Sequence, residues 1–156
     1  MNDTWVVELA YAAMILGTPL IFATVGEIMT ERSGILNLGV QGMMLVGAVS
    51  AFWATYNTES LVLGLIMGLI AGAALSVIHA FTSVTLRVNQ IVSGLALTIF
   101  GTGLASFLGQ AGSEPLVGNP APKVFEPIFA GGIAEWPIVG PLLFGHDIMV
   151  YVAWVT

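Results

Sequence analysis

The chain contains no cysteine and very little charge. Of its 156 residues, 8% are charged, and the three basic ones are Arg32, Arg87 and Lys123. The lack of cysteine excludes disulfides, thiol chemistry and cysteine-bound zinc. Three scattered cations do not make the basic surface that nucleic acid binding requires. A soluble domain is roughly 25% charged, so the scarcity of charge already indicates a different class of protein.

Long apolar runs occupy most of the sequence instead. Hydrophobic residues make up 57% of the chain, and the mean hydropathy is +0.97. The apolar residues form blocks of about 20, which is the length that a helix needs to cross a bilayer. Four complete spans are predicted at 4–28, 35–56, 61–86 and 91–110, and a fifth begins at 148. The sequence thus predicts an all-α polytopic integral membrane bundle.

The positions of two arginines predict the orientation. Arg32 follows the first predicted span and Arg87 follows the third, so both connections lie on the same side. Cytoplasmic loops are enriched in Lys and Arg, which places these connections inside and the N-terminus outside. The long connection 111–147 then falls outside, and the run that opens at 148 is too short to span. We therefore expect residues 1–156 to be the N-terminal part of a single transmembrane domain whose C-terminal part is missing.

Small residues at helical spacing predict close packing between the spans. The small residues include Gly64, Gly68 and Gly72 in the third predicted span, and Gly101 and Gly109 in the fourth. Small-residue faces allow helix backbones to approach each other within a membrane. The pattern favours a compact bundle and does not by itself indicate an activity.

The junction of the first two spans concentrates polar residues and glycine. It contains Glu31, Arg32, Ser33, Gly34, Gly39 and Gly42, and the two amides Asn37 and Gln41. This density of glycine favours a broken helix entry whose amides can face a cavity. The amides are four residues apart, on one face of the predicted helix, and are candidates for a polar, uncharged lining of a path for a small hydroxylated solute. The alternative is hydrogen bonding between helices, which contributes only about 0.6 kcal/mol on average.

Three kinds of chemistry are missing from the sequence. It has no Gly-x-x-x-x-Gly-Lys-Ser/Thr phosphate loop. No Asp or Glu lies in the middle of a predicted span, which disfavours an ion-coupled secondary transporter. His79 and His146 fall on opposite sides of the predicted topology, so no metal site is expected. A conduit component is favoured over an enzyme. A non-transporting scaffold would explain the packing stripes but not the amides and glycines of the junction.

The junction also resembles a known signature. Residues 31–44, Glu-Arg-Ser-Gly-Ile-Leu-Asn-Leu-Gly-Val-Gln-Gly-Met-Met, resemble that of bacterial ABC importer permeases for nucleosides and simple sugars. These form a branch of the superfamily that includes the ribose and branched-chain amino acid permeases. Residues 88–97 and 137–151 agree with the same family. One departure is Gln41, where glutamate is more usual, so the charge expected at this position is absent.

The resemblance implies a longer chain and several partners. It implies a second permease subunit, an ABC ATPase subunit and an extracytoplasmic solute-binding lipoprotein, all working at the lipid bilayer of the bacterial plasma (inner) membrane. The chain itself would carry no cofactor, because ATP and Mg would bind to the ATPase, and it would bind no nucleic acid. On this interpretation Asn37 and Gln41 line the translocation path, and residues 111–147 are a candidate docking surface for the solute-binding protein.

Overall fold

The computed structural model describes residues 4–110, 116, 123–129, 131–132 and 136–156. Within these ranges the chain is helical and contains no β-strand, which confirms the predicted all-α class. The five α-helices are α1 (Thr4–Arg32), α2 (Val40–Thr58), α3 (Leu61–Ala80), α4 (Gln90–Gln110) and α5 (Ile148–Val155). The described ranges also contain two π-helical turns, Phe81–Thr85 after α3 and Gly140–Phe144 before α5.

Three helical stretches in the described part of the chain are long and apolar enough to cross a membrane. They are Trp5–Arg32, Leu61–Thr85 and Gln90–Gln110. The helix α2 is not among them, because its 19 residues include Gln41, Tyr56 and Asn57. Four complete spans and the start of a fifth therefore stay a prediction. The second span does not begin at residue 35 as predicted, because α2 begins at Val40.

Two compact units divide the described residues. The terminal unit falls within Met1–Gly26 and Phe125–Thr156, and the central unit falls within Glu27–Val124. In the central unit α2 packs on both α3 and α4, which hardly contact each other. Met43, Val46, Leu75 and Leu97 form its apolar core. The helix α2 is therefore the middle layer of this unit.

Glycines bring α2 and α4 into backbone contact. A Cβ atom added to Gly101 would lie 2.6 Å from the Cα atom of Gly42. One added to Gly42 would lie 2.6 Å from the carbonyl oxygen of Leu97. Neither approach is possible for a residue with a side chain unless the helices separate.

The pairing of α2 with α3 uses the glycines at the start of α3. A Cβ atom on Gly64 would overlap the hydroxyl oxygen of Thr55, and one on Gly68 would lie 3.0 Å from the carbonyl oxygen of Gly47. One turn further on, Gly72 has only an ordinary contact, 3.7 Å from a backbone oxygen of α2. Gly109, near the end of α4, is buried.

The terminal unit is organised around His146, which is 1% exposed. Its ring stacks on Tyr11 of α1 with centroids 4.9 Å apart and meets Trp154 of α5 edge-on at 5.5 Å. The Tyr11 hydroxyl donates to the carbonyl of Gly145 at 3.1 Å. The carboxylate of Asp147 caps α5 by accepting the first free amides of the helix. Of the predicted outer connection 111–147, residues 111–115, 117–122, 130 and 133–135 lie outside the described part of the chain.

Candidate functional site

The segment 33–39 joins α1 to α2 without being helical, and its path begins in a Schellman motif. The amide of Ile35 donates to the carbonyl of Thr30 at 3.1 Å, and the amide of Gly34 donates to that of Glu31 at 2.9 Å. Gly34 has a φ of +82°, a left-handed conformation that favours glycine. The chain therefore turns out of α1 at a glycine before the amide-rich residues begin.

The charged residues at this turn are solvated. Glu31 and Arg32 are both exposed, and the hydroxyl of Ser33 donates to the carbonyl of Thr30 at 2.6 Å. Among the described residues, the only ion pair joins Lys123 to Glu59 at 4.0 Å, and both side chains are largely exposed. An exposed pair of this kind contributes little stability. Charge pairing is therefore not what fixes the shape of the junction.

Side chains of α4 hold the segment by its backbone. The Oε1 atom of Gln90 accepts the amide hydrogen of Leu36 at 2.7 Å, and its Nε2 atom lies 3.5 Å from the carbonyl oxygen of Gly34. The hydroxyl of Thr98 donates to the carbonyl of Leu38 at 2.6 Å. These bonds replace the helical ones that the segment lacks, as polar backbone groups away from water require.

Two ionisable side chains bind the same segment from the other helices. The Oε1 atom of Glu27, on α1, accepts the amide hydrogen of Asn37 at 3.0 Å. The Nε2 atom of His79, on α3, lies 3.3 Å from the carbonyl oxygen of Leu36. The predicted site residues do not include Glu27, His79, Gln90 or Thr98. An ionisable residue inside an apolar run is a functional candidate in its own right, and that signal would have selected Glu27 and His79.

The two amides predicted to line a path have different environments. Asn37 is 7% exposed, and its Oδ1 atom accepts the amide hydrogen of Gly39 at 3.0 Å. Its Nδ2 atom faces the sulfur of Met43 at 3.7 Å. Gln41 lies in the first turn of α2 and is exposed. The prediction that both side chains share one helical face is wrong, because Asn37 precedes α2.

Glycine also brings the segment against α4. A Cβ atom on Gly94 would lie 2.8 Å from the amide nitrogen of Leu38, and one on Gly39 would lie 3.1 Å from the Leu97 side chain. Together with the close approach of Gly42 to α4, this contact fixes the start of α2 against one neighbour.

A groove of about 490 Å³ opens between α3 and α4 beside this junction. Its walls include Ile78, Val92 and Phe100, and its polar lining comes from His79, Thr82 and Ser93. The described residues include no cluster of His, Asp or Glu that could hold a metal ion.

Helices long enough to cross a membrane surround a non-helical segment that side chains hold in place. The protein therefore belongs to the class of multi-pass membrane proteins. The segment 33–39 is the connection between α1 and α2, and it begins where the apolar stretch Trp5–Arg32 ends.

Comparison with known proteins identifies the family. The family described as "Branched-chain amino acid transport system / permease component" matches residues 9–153, which is nearly the whole chain. The chain belongs to this permease family. No solved structure matches it.

Three relatives show which members of the family this chain is similar to. It is 41% identical, over 87% of its length, to the putative glucose ABC transporter permease protein TsgC13 of Haloferax volcanii. It is 35% identical over 70% of its length to the nucleoside ABC transporter permease protein NupC of Lactococcus lactis subsp. cremoris. It is 28% identical over 85% of its length to the guanosine ABC transporter permease protein NupQ of Bacillus subtilis. The matches cover 41%, 37% and 44% of these relatives, so the chain spans less than half of their length.

Proposed function

We propose that this chain is part of the permease subunit of an ATP-driven importer and forms part of the path for a sugar or a nucleoside. The observation that carries the proposal is the side-chain-bound segment 33–39, which leads directly into the exposed amide of Gln41. An uncharged amide suits a hydroxylated solute, because it can both donate and accept hydrogen bonds. The names of the three relatives, two for nucleosides and one for glucose, support the same solute classes.

The proposal includes partners that supply the energy and the solute. An ABC ATPase subunit would bind ATP and Mg, a second permease subunit would complete the path, and an extracytoplasmic solute-binding lipoprotein would deliver the solute. This chain would carry out no bond chemistry. It would contribute four complete spans and the start of a fifth to a multi-pass domain in the plasma membrane.

Replacing Gln41 with leucine is expected to lower solute uptake about tenfold, the effect of losing one hydrogen bond to the solute. The amount of protein in the membrane should not change, because the side chain is exposed. Uptake of radiolabelled glucose and guanosine, normalised to membrane abundance, measures the effect. Gln110→Leu, which removes another exposed amide at the end of α4, is the matched control.

The same substitution at Asn37 should behave differently. Asn37→Leu removes the acceptor of the Gly39 amide and is expected to lower abundance as well as uptake. Equal losses of abundance and uptake at Gln41 would show that this side chain packs and does not line the path. Uptake that follows an ion gradient and does not need ATP would favour a secondary transporter instead.

The proposed topology places the N-terminus and residues 111–147 outside, and Arg32 and Arg87 inside. A small epitope inserted at residues 117–122 should be labelled by antibody on intact cells, whereas one inserted after Arg32 should be labelled only after permeabilisation. The reverse pattern of labelling would invert the topology.

A further inference from the structure

We propose that Glu27 and His79 are positioning residues that act on the solute path through one peptide group, the one that joins Leu36 to Asn37. The inference rests on the proposed function for its effect on uptake. Its structural part, the coupling of the two side chains, does not depend on transport.

The two side chains bind opposite ends of the same peptide. The N–H of this peptide belongs to Asn37 and donates to Glu27 at 3.0 Å, and its carbonyl belongs to Leu36 and lies 3.3 Å from Nε2 of His79. A carbonyl oxygen can only accept, so Nε2 donates to Leu36 in the tautomer that has its hydrogen there; the same nitrogen also lies 3.5 Å from the hydroxyl oxygen of Ser83. One peptide of the non-helical segment is thus held between a carboxylate from α1 and an imidazole from α3.

The His79 ring is held in the orientation that this contact needs. The side chain is 4% exposed, and its Nδ1 atom lies 3.4 Å from the hydroxyl oxygen of Ser93. That oxygen lies 2.7 Å from the hydroxyl of Thr82, which is 2.9 Å from the carbonyl oxygen of His79 itself. In the tautomer with the hydrogen on Nε2, the hydroxyl of Ser93 donates to Nδ1.

The side chain of Glu27 binds the amide end of this peptide. Its Oε2 atom is buried and has no hydrogen-bond partner among the described residues, whereas its Oε1 atom accepts the amide hydrogen of Asn37. The hydrogen bond that the Asn37 amide donates to Glu27 polarises the peptide, so that the Leu36 carbonyl becomes a better acceptor. The bond between the Asn37 amide and Glu27 therefore strengthens the bond between the Leu36 carbonyl and His79, and loss of either bond weakens the other.

The position of this peptide determines where the path residue lies. The side chain of Asn37 fixes the amide of Gly39, and Gly39 precedes the first turn of α2, which contains Gln41. Any displacement of the end of α1 relative to α3 moves this peptide and hence the entry of α2. Glu27 and His79 thereby link two helices to the side chain proposed to meet the solute.

The test is a double-mutant cycle in the complete transporter, reconstituted with its ATPase and solute-binding protein. Glu27→Leu and His79→Leu are each expected to lower ATP-dependent uptake of radiolabelled glucose or guanosine about tenfold. Uptake by the double variant should be no lower than uptake by the more impaired of the two single variants. Amide hydrogen exchange of peptides that cover residues 33–43 should become faster by the same amount in all three variants. Glu8→Leu, which removes an exposed carboxylate from the same helix, is the matched control.

Conservative variants separate positioning from general stability. Glu27→Gln keeps an acceptor for the Asn37 amide, and His79→Gln keeps a donor for the Leu36 carbonyl, so each should restore most of the exchange protection. If the leucine variants do not assemble, the cycle is carried out with the glutamine variants, whose smaller effects should again be non-additive.

Two results overturn the inference: losses that multiply in the double variant, or exchange that stays unchanged in the single variants. If the unmodified transporter takes up neither probe with ATP, the proposed function fails on its own. Hydrogen exchange in the single and double variants then still tests whether Glu27 and His79 are coupled. Non-additive changes in exchange support the coupling, and additive changes contradict it.

Discussion

Replacing Gly101 with alanine is expected to lower the free energy of unfolding by about 1–3 kcal/mol, the usual cost of overpacking. The added Cβ atom would lie 2.6 Å from the Cα and 2.7 Å from the carbonyl oxygen of Gly42. Both are backbone atoms, so the contact is relieved only if α2 and α4 separate. Unfolding of the purified protein by SDS in mixed micelles, followed by tryptophan fluorescence, measures the change.

The same helix offers a control two residues away. A Cβ atom on Gly103 would meet no atom within 4 Å, so Gly103→Ala introduces the same methyl group without the contact. Alanine favours a helix over glycine by about 1 kcal/mol, and this variant should be neutral or slightly more stable. Equal stabilities of the two variants would show that α2 and α4 do not meet at Gly42.

Replacing Gln90 with leucine is expected to release the segment 33–39 and to lower uptake more than tenfold. The variant loses the acceptor of the Leu36 amide, 2.7 Å away, and the donor to the Gly34 carbonyl. A buried amide left without a partner costs about 1–3 kcal/mol, and the bond of the Leu36 amide is part-buried, whereas the carbonyl of Gly34 is exposed. Faster hydrogen exchange in the peptides that cover residues 33–43, measured beside uptake, reports the release.

A second variant at this position separates the two bonds. Gln90→Glu keeps an acceptor for the Leu36 amide but replaces the donor with an oxygen that faces the Gly34 carbonyl. Its effect should be smaller than that of Gln90→Leu, because the shorter of the two bonds survives. Normal exchange and normal uptake in Gln90→Leu would mean that the other side chains suffice to hold the segment.

The sequence was sufficient to predict the helical class. Apolar runs of membrane length predicted helices close to α1, α3 and α4, because such a run in lipid must satisfy its backbone groups internally. The family could be recognised because residues 31–44 carry its signature locally. Both inferences use information that lies within a short stretch of chain.

The local density of glycine predicts a broken helix entry at the junction, but the residue at which α2 begins and the side chains that hold the junction could not be predicted in the same way. Ile35, Leu36 and Leu38 are apolar and continue the run of α2, so they were assigned to a helix that in fact begins at Val40. What keeps them out of the helix is a set of hydrogen bonds from remote positions. Gln90 is 54 residues away from Leu36, and Thr98 is 60 residues away from Leu38. No local pattern reports such partners.

The middle position of α2 has a consequence for the synthesis of this protein. The helix α2 is not among the stretches apolar enough to span a membrane, and the helices that cover it are α3 and α4. Both follow it in the chain, so the ribosome completes α2 before either neighbour exists. The glycines of α2 therefore meet their neighbours in the order of synthesis: Gly47 can pack against α3 as soon as that helix exists, whereas Gly42 has no partner until α4 is made.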